Sequence, residues 1–116
     1  GSSYENEQIL FDIQKNTDYK TLQCMEFYKK FYIVRFYEEP KGNNNCVEVY
    51  NKKGKKVKCV VIKDPVYNEG KNDKAINYKW EVESLCHYKG DCFYYVNYKP
   101  STKKNKKAYL YKVNIK

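Results

Sequence analysis

The chain has 116 residues, 23 basic against 14 acidic, for a formal net charge of +9, and 41% of it is hydrophobic. That length allows one domain with a modest core, and no run of 18 or more apolar residues exists to span a membrane as a helix. All the basic residues except Arg35 are lysines. Lysine is a flexible point charge without the planar fork that reads phosphates and base edges, so a solvated lysine surface is preferred over an evolved polyanion site. Fourteen tyrosines suit an interface or a half-wet pocket wall, or equally the core of a small β protein. Five cysteines in so short a chain point to an oxidising compartment and hence to secretion, with one thiol left over.

Gly1-Ser2-Ser3 reads as the scar of an expression tag, leaving residues 4–116 as a single domain. YENEQILFDIQKN then reads as a short helix. Ser2 or Ser3 caps it, Glu5 falls in the first turn, and Ile9, Leu10 and Ile13 form one apolar stripe. DYKTLQCMEFYKK has Tyr19, Leu22 and Met25 at helical spacing, against a competing strand alternation around Leu22 and Cys24; helix is preferred. From Phe31 the chain reads as strand and turn. FYIVRFY stops at Pro40-Lys41-Gly42, CVEVY and KVKCVVIK flank NKKGK, and Asn68 to Lys74 belong to the longest loop. INYKWEVE alternates with Ile76, Tyr78, Trp80 and Val82 on one face; CFYYVNY and AYLYKVNIK follow, separated by KPSTKKNKK. The expected fold is α+β: a short N-terminal helical region packed on an antiparallel, mostly meander sheet of about six strands, curled or barrel-like in the limit and stapled by disulfides.

CHYKGDC holds the only histidine, His87, between Cys86 and Cys92. A three-residue loop Tyr88-Lys89-Gly90, with glycine third, sets Cys86 opposite Cys92 at bridging distance and turns His87 to solvent. A nucleophilic Cys–His pair lacks an orienting group and a zinc site lacks ligands, so neither catalysis nor metal binding is expected. Lys52-Lys53-Gly54 is a second three-residue loop, closed by Asn51 and Lys55. It sets Cys59 opposite Val47, so Cys46 and Cys59 face opposite sides. Val47, Val49, Val57, Cys59 and Val61 then share a core face; Cys24, if bridged, reaches either Cys46 or Cys59, and Cys24–Cys46 is preferred, leaving Cys59 as a buried free thiol.

Lys103, Lys104, Lys106 and Lys107, in a loop with five lysines and no acid, are candidate polyanion contacts (heparan sulfate or nucleic acid), or else a solvated hairpin tip. Trp80, Tyr78, Ile76 and Val82 are a core face or the lining of a ligand pocket. The acids Glu48, Glu81 and Glu83 fall on polar strand faces, which leaves no paired carboxylates for acid–base work. A leading helix followed by FYIVRFYEEPKGNNNCVEVY resembles the opening of tick salivary histamine-binding-type lipocalins over about a quarter of the chain. The chain is shorter than that family's eight-stranded barrel with C-terminal helix, and no site residue is carried over. A cystatin-like helix-on-sheet matches in shape, without a QxVxG-type loop. The reading is a secreted, non-enzymatic binding module without cofactor or membrane insertion. It presents a Tyr/Lys-rich surface to an extracellular protein at a host–parasite or cell-surface boundary, with a lipocalin-like small-ligand carrier or a polyanion binder as alternatives.

Overall fold

The computed structural model describes residues 6–15, 21–36, 45–62, 81–99 and 107–116. Among these residues seven strands follow in order: β1 (Thr21–Tyr28), β2 (Lys30–Phe36), β3 (Asn45–Tyr50), β4 (Lys56–Ile62), β5 (Glu81–Lys89), β6 (Cys92–Lys99) and β7 (Lys107–Asn114). They form two antiparallel sheets, β1-β2-β3-β4 and β5-β6-β7, each in chain order. One core lies between them, with Tyr32, Val34, Val47, Val49 and Ile62 of the first sheet against Val82, Leu85, Phe93, Tyr95 and Ile115.

The expected helical region is absent, and no helix occurs among the described residues. Residues 6–15 instead run as a strap over the face of the first sheet that points away from the second. A helix of about a dozen residues is marginal on its own, so tertiary contacts decide its fate. Here the Ile13 carbonyl, which a helix would have used internally, accepts from the Arg35 guanidinium. Residues 21–28, also preferred as helix, are strand β1. Beyond a bulge at Gln23, Cys24, Glu26 and Tyr28 face the core side while Met25 and Phe27 face the strap side. The period is two, and with no leading helix the lipocalin likeness loses the feature that carried it.

β3 is buried along its whole length because both its faces are covered, which accounts for the apolar composition of CVEVY. Among the described strands β4 ends the sheet on the side opposite β1, and it is mostly exposed. Its turn is closed as expected, with the Asn51 amide donating to the Lys55 carbonyl at 2.9 Å. One pair further on, a bulge at Val57 shifts the register by one, so Glu48 faces Cys59 and Cys46 faces Val61. A one-residue slip exchanges the two faces of a strand. Val57 and Val61 are therefore exposed rather than core. Cys46 and Cys59 become diagonal neighbours on one face, and they form the disulfide, with Cα atoms 6.4 Å apart.

That bond replaces the expected Cys24–Cys46 bridge, and Cys59 is not a buried free thiol. Cys24, Cys86 and Cys92 are the free cysteines. The expected Cys86–Cys92 staple fails because the β5–β6 loop has two residues, Gly90 and Asp91, rather than three. Lys89 pairs with Cys92, and Cys86 faces Tyr94. His87 consequently turns inward. Its ring stacks on Tyr28 with centroids 3.5 Å apart, and its Nε2 meets the Gly90 carbonyl at 2.9 Å.

Among the described residues, the outer edge of β5 is met by side chains rather than by another strand. Asn45 Oδ1 accepts from the Val82 amide at 3.0 Å, and Glu26 Oε2 accepts from the His87 amide at 2.8 Å. The Leu85 amide points at the Cys24 sulfur. These contacts blunt an edge that would otherwise pair with another chain, and they join β5 to β1 and β3 without a ladder.

Candidate functional site

The strap side of the first sheet holds the only arginine and a buried acid. Paired strand residues share a face, so Arg35 opposite Cys46 and Glu48 opposite Ile33 lie together. Arg35 Nε donates to Glu48 Oε1 at 2.9 Å, and neither residue is exposed. Glu48 is thus not on a solvated strand face, as its alternation had implied. Removing either partner alone would leave a buried charge, at a cost of about 3 to 5 kcal/mol.

The remaining guanidinium donors bind the strap: Nη1 reaches Gln14 Oε1 at 2.6 Å and Nη2 the Ile13 carbonyl. Tyr50 donates its hydroxyl to Glu48 Oε1 at 2.8 Å, and Lys56 Nζ lies 3.5 Å from Glu48 Oε2. Burial first, then the hydrogen bond and charge of Glu48, push the Tyr50 hydroxyl upward in pKa, with Arg35 opposing. The hydroxyl therefore stays a donor.

Phe11 fixes the strap from the other side. Its ring packs edge-on to Phe31 at 5.4 Å and stacks on Tyr50 at 5.8 Å. It passes so close to Gly54 that a Cβ there would stand 2.7 Å from Phe11 Cγ. The turn glycine is thus also the floor on which the strap rests.

Between strap and sheet lies a cavity of about 420 Å³, walled by Leu10, Phe11 and Ile13 above and by Leu22, Met25, Phe31 and Ile33 below. Among the described residues its polar side chain is Gln23, turned aside by the β1 bulge; Cys24 also borders it, with its thiol turned to the core side. Burial, then the charges of Glu83 and Glu26, raise Cys24 to about 11, with the Leu85 amide opposing. Cys24 therefore remains a thiol at neutral pH, and its sulfur faces β5 on the core side rather than the strap. Leu10, Leu22 and Met25 are all exposed at the mouth.

The residues singled out from sequence lie elsewhere. Val82 is fully buried in the core between the sheets. Ile76, Tyr78 and Trp80 fall outside the described residues, as do Lys103, Lys104 and Lys106, while Lys107 opens β7. No cluster of three metal-ligating side chains occurs among the described residues, and no helix there is long and apolar enough to cross a membrane. Comparison with known proteins finds no matching family model, no matching curated protein and no matching solved structure.

Proposed function

We propose that the chain is a non-enzymatic binding module whose site is the cavity beneath the strap, taking one small uncharged apolar ligand such as a ring system or a short aliphatic chain. The cavity itself carries the reading. Its volume of about 420 Å³ falls in the range of small-molecule sites, its walls are apolar, and the Gln23 amide is available to orient a ligand. An extracellular setting agrees with the Cys46–Cys59 disulfide, since such bonds persist in oxidising compartments. A second occupant suits the same mouth. Leu10, Leu22 and Met25 are exposed around it, a surface onto which an extracellular protein partner would lay an apolar anchor.

The test is titration with N-phenyl-1-naphthylamine, an uncharged dye that fluoresces in apolar surroundings. Saturable binding of one dye per chain is expected, abolished by Leu22→Trp, which fills the cavity from a half-exposed position without touching the core. No saturable binding by the native chain, or undiminished binding by the variant, would remove the cavity as the site.

A further inference from the structure

The ends of the strands gather charge in a way the linear sequence conceals. β1–β2, β3–β4 and β5–β6 are alternate connections, so their turns fall at one end of the molecule. Pairing of Phe31 with Tyr50 places the first two turns side by side. The Tyr28–His87 stack at 3.5 Å brings in the third, and the Ile115 amide, donating to the Asp91 carbonyl at 2.8 Å, brings in the end of β7. Strand and sheet spacings put neighbouring tips roughly 10 Å apart. Lys29 and Lys30 occupy the first tip, Lys52, Lys53 and Lys55 the second, and Lys89 the third. Asp91 is the only acid among those tip residues. Between the sheets at this end, Lys30, Lys58 and Lys116 surround a cleft of about 130 Å³ beside Tyr32.

We propose that this end of the molecule binds a sulfated polysaccharide, its sulfate groups meeting the tip lysines and one of them entering the cleft between Lys30, Lys58 and Lys116. A compact ammonium suits an isolated sulfate. Recognition of nucleic acid is disfavoured by what surrounds the lysines. Arg35 is buried against Glu48, so no guanidinium is available for bidentate contact with phosphate or base. The exposed rings near this end, Phe27 and Tyr88, each already carry a lysine ammonium over one face, from Lys52 at 6.0 Å and Lys89 at 5.3 Å. Stacking platforms for bases need such faces open. The surface adjoins the strap where Gly54 of the second tip meets Phe11, but its lysines do not line the cavity and the proposal does not depend on a ligand there.

The experiment compares heparin affinity, as a function of salt, for two variants with the same change of charge. Lys30→Glu/Lys53→Glu/Lys89→Glu alters the tips; Lys103→Glu/Lys104→Glu/Lys106→Glu alters the lysine-rich loop, whose flanking residues Lys99 and Lys107 lie at the far ends of β6 and β7. The tip variant is expected to bind roughly tenfold or more weakly at about 0.15 M salt, with a shallower salt dependence, because released counterions scale with the contacts made. The loop variant should stay near the native value. All three tip lysines are exposed, so matched thermal unfolding is expected and confines the effect to binding. Equal losses in both variants would reduce the effect to net charge, and a loss confined to the loop would relocate the site; either overturns the proposal. Unsulfated hyaluronan should fail to displace heparin. Displacement by it, or by single-stranded DNA at equal charge, would overturn the assignment to sulfate.

Discussion

Two hairpins carry nearly the same turn signal, Lys52-Lys53-Gly54 and Tyr88-Lys89-Gly90, yet they build different loops. In the β3–β4 turn, Asn51 Oδ1 accepts from the Lys53 and Lys55 amides at 3.0 and 2.9 Å. That acceptor holds three residues in the loop and leaves Gly54 third, at φ +86°. His87, at the equivalent position before Tyr88, has no short side-chain oxygen to do this. The β5–β6 turn contracts to Gly90-Asp91, with glycine first at φ +54°, and Tyr88 is left over as a bulge. The bulges then decide the cysteines. At β3–β4 the bulge lies on the turn side of both cysteine rungs, so its one-residue shift puts Cys46 and Cys59 on one face across a regular diagonal, where they bond. At β5–β6 it lies between the pairings of Cys86 and Cys92, and both remain thiols. Glycine announces a turn; the residue before it sets the loop length.

The largest effect that separates the hairpins should come from Gly54→Val. It combines a strained positive φ with a Cβ placed against Phe11, 2.7 Å from Cγ and 2.8 Å from its Cβ. The two terms together are expected to cost roughly 3 to 5 kcal/mol in denaturant unfolding. Dye binding should weaken in parallel, since Phe11 roofs the cavity. A loss of less than 1 kcal/mol would mean that the strap does not rest on Gly54. Next in size is the disulfide. Cys46 and Cys59 are 13 residues apart, so Cys46→Ser/Cys59→Ser should lower stability by about 3 kcal/mol through the freed unfolded chain. Cys86→Ser/Cys92→Ser should change it little. Reversed magnitudes would restore the staple at the second hairpin.

Most strands could be located from sequence. FYIVRFY and CVEVY are nearly continuous apolar runs because both faces of β2 and β3 are covered. Their two charged interruptions, Arg35 and Glu48, held a further signal: a lone cation and a lone anion in adjacent buried strands belong to each other. The N-terminal strap was not legible, since Ile9, Leu10 and Ile13 fit a helix as well as they fit anything. What decides its course is the bond from Arg35 to the Ile13 carbonyl, which has no local trace. The cavity depends on that course and was equally hidden. Register failed for a different reason. A bulge inserts one residue without marking the sequence, and Val57 and Tyr88 look like ordinary strand residues. The lysine end was within reach, because alternate turns of a meander must share an end and each of these three carries lysine.

Gly90→Val gives the smallest effect and the cleanest contrast. A Cβ at Gly90 meets nothing within 4 Å, so steric conflict with the rest of the molecule is absent. What remains is the φ of +54° in a loop whose second residue, Asp91, is not left-handed, the pattern of a two-residue turn that wants glycine first. A β-branched residue resists that conformation by about 1 to 2 kcal/mol. The same substitution at Gly54 adds the collision with Phe11, so the difference between the two variants isolates the contribution of strap contact. The sheet should survive, since the Lys89–Cys92 pair and the β6–β7 ladder do not involve the Gly90 side. A loop that relaxed to three residues would bring Cys86 opposite Cys92, and non-reducing peptide mapping of the variant would then show a new linkage. Unchanged thiols together with a cost near that of Gly54→Val would show instead that φ strain dominates both turns and that Phe11 yields freely.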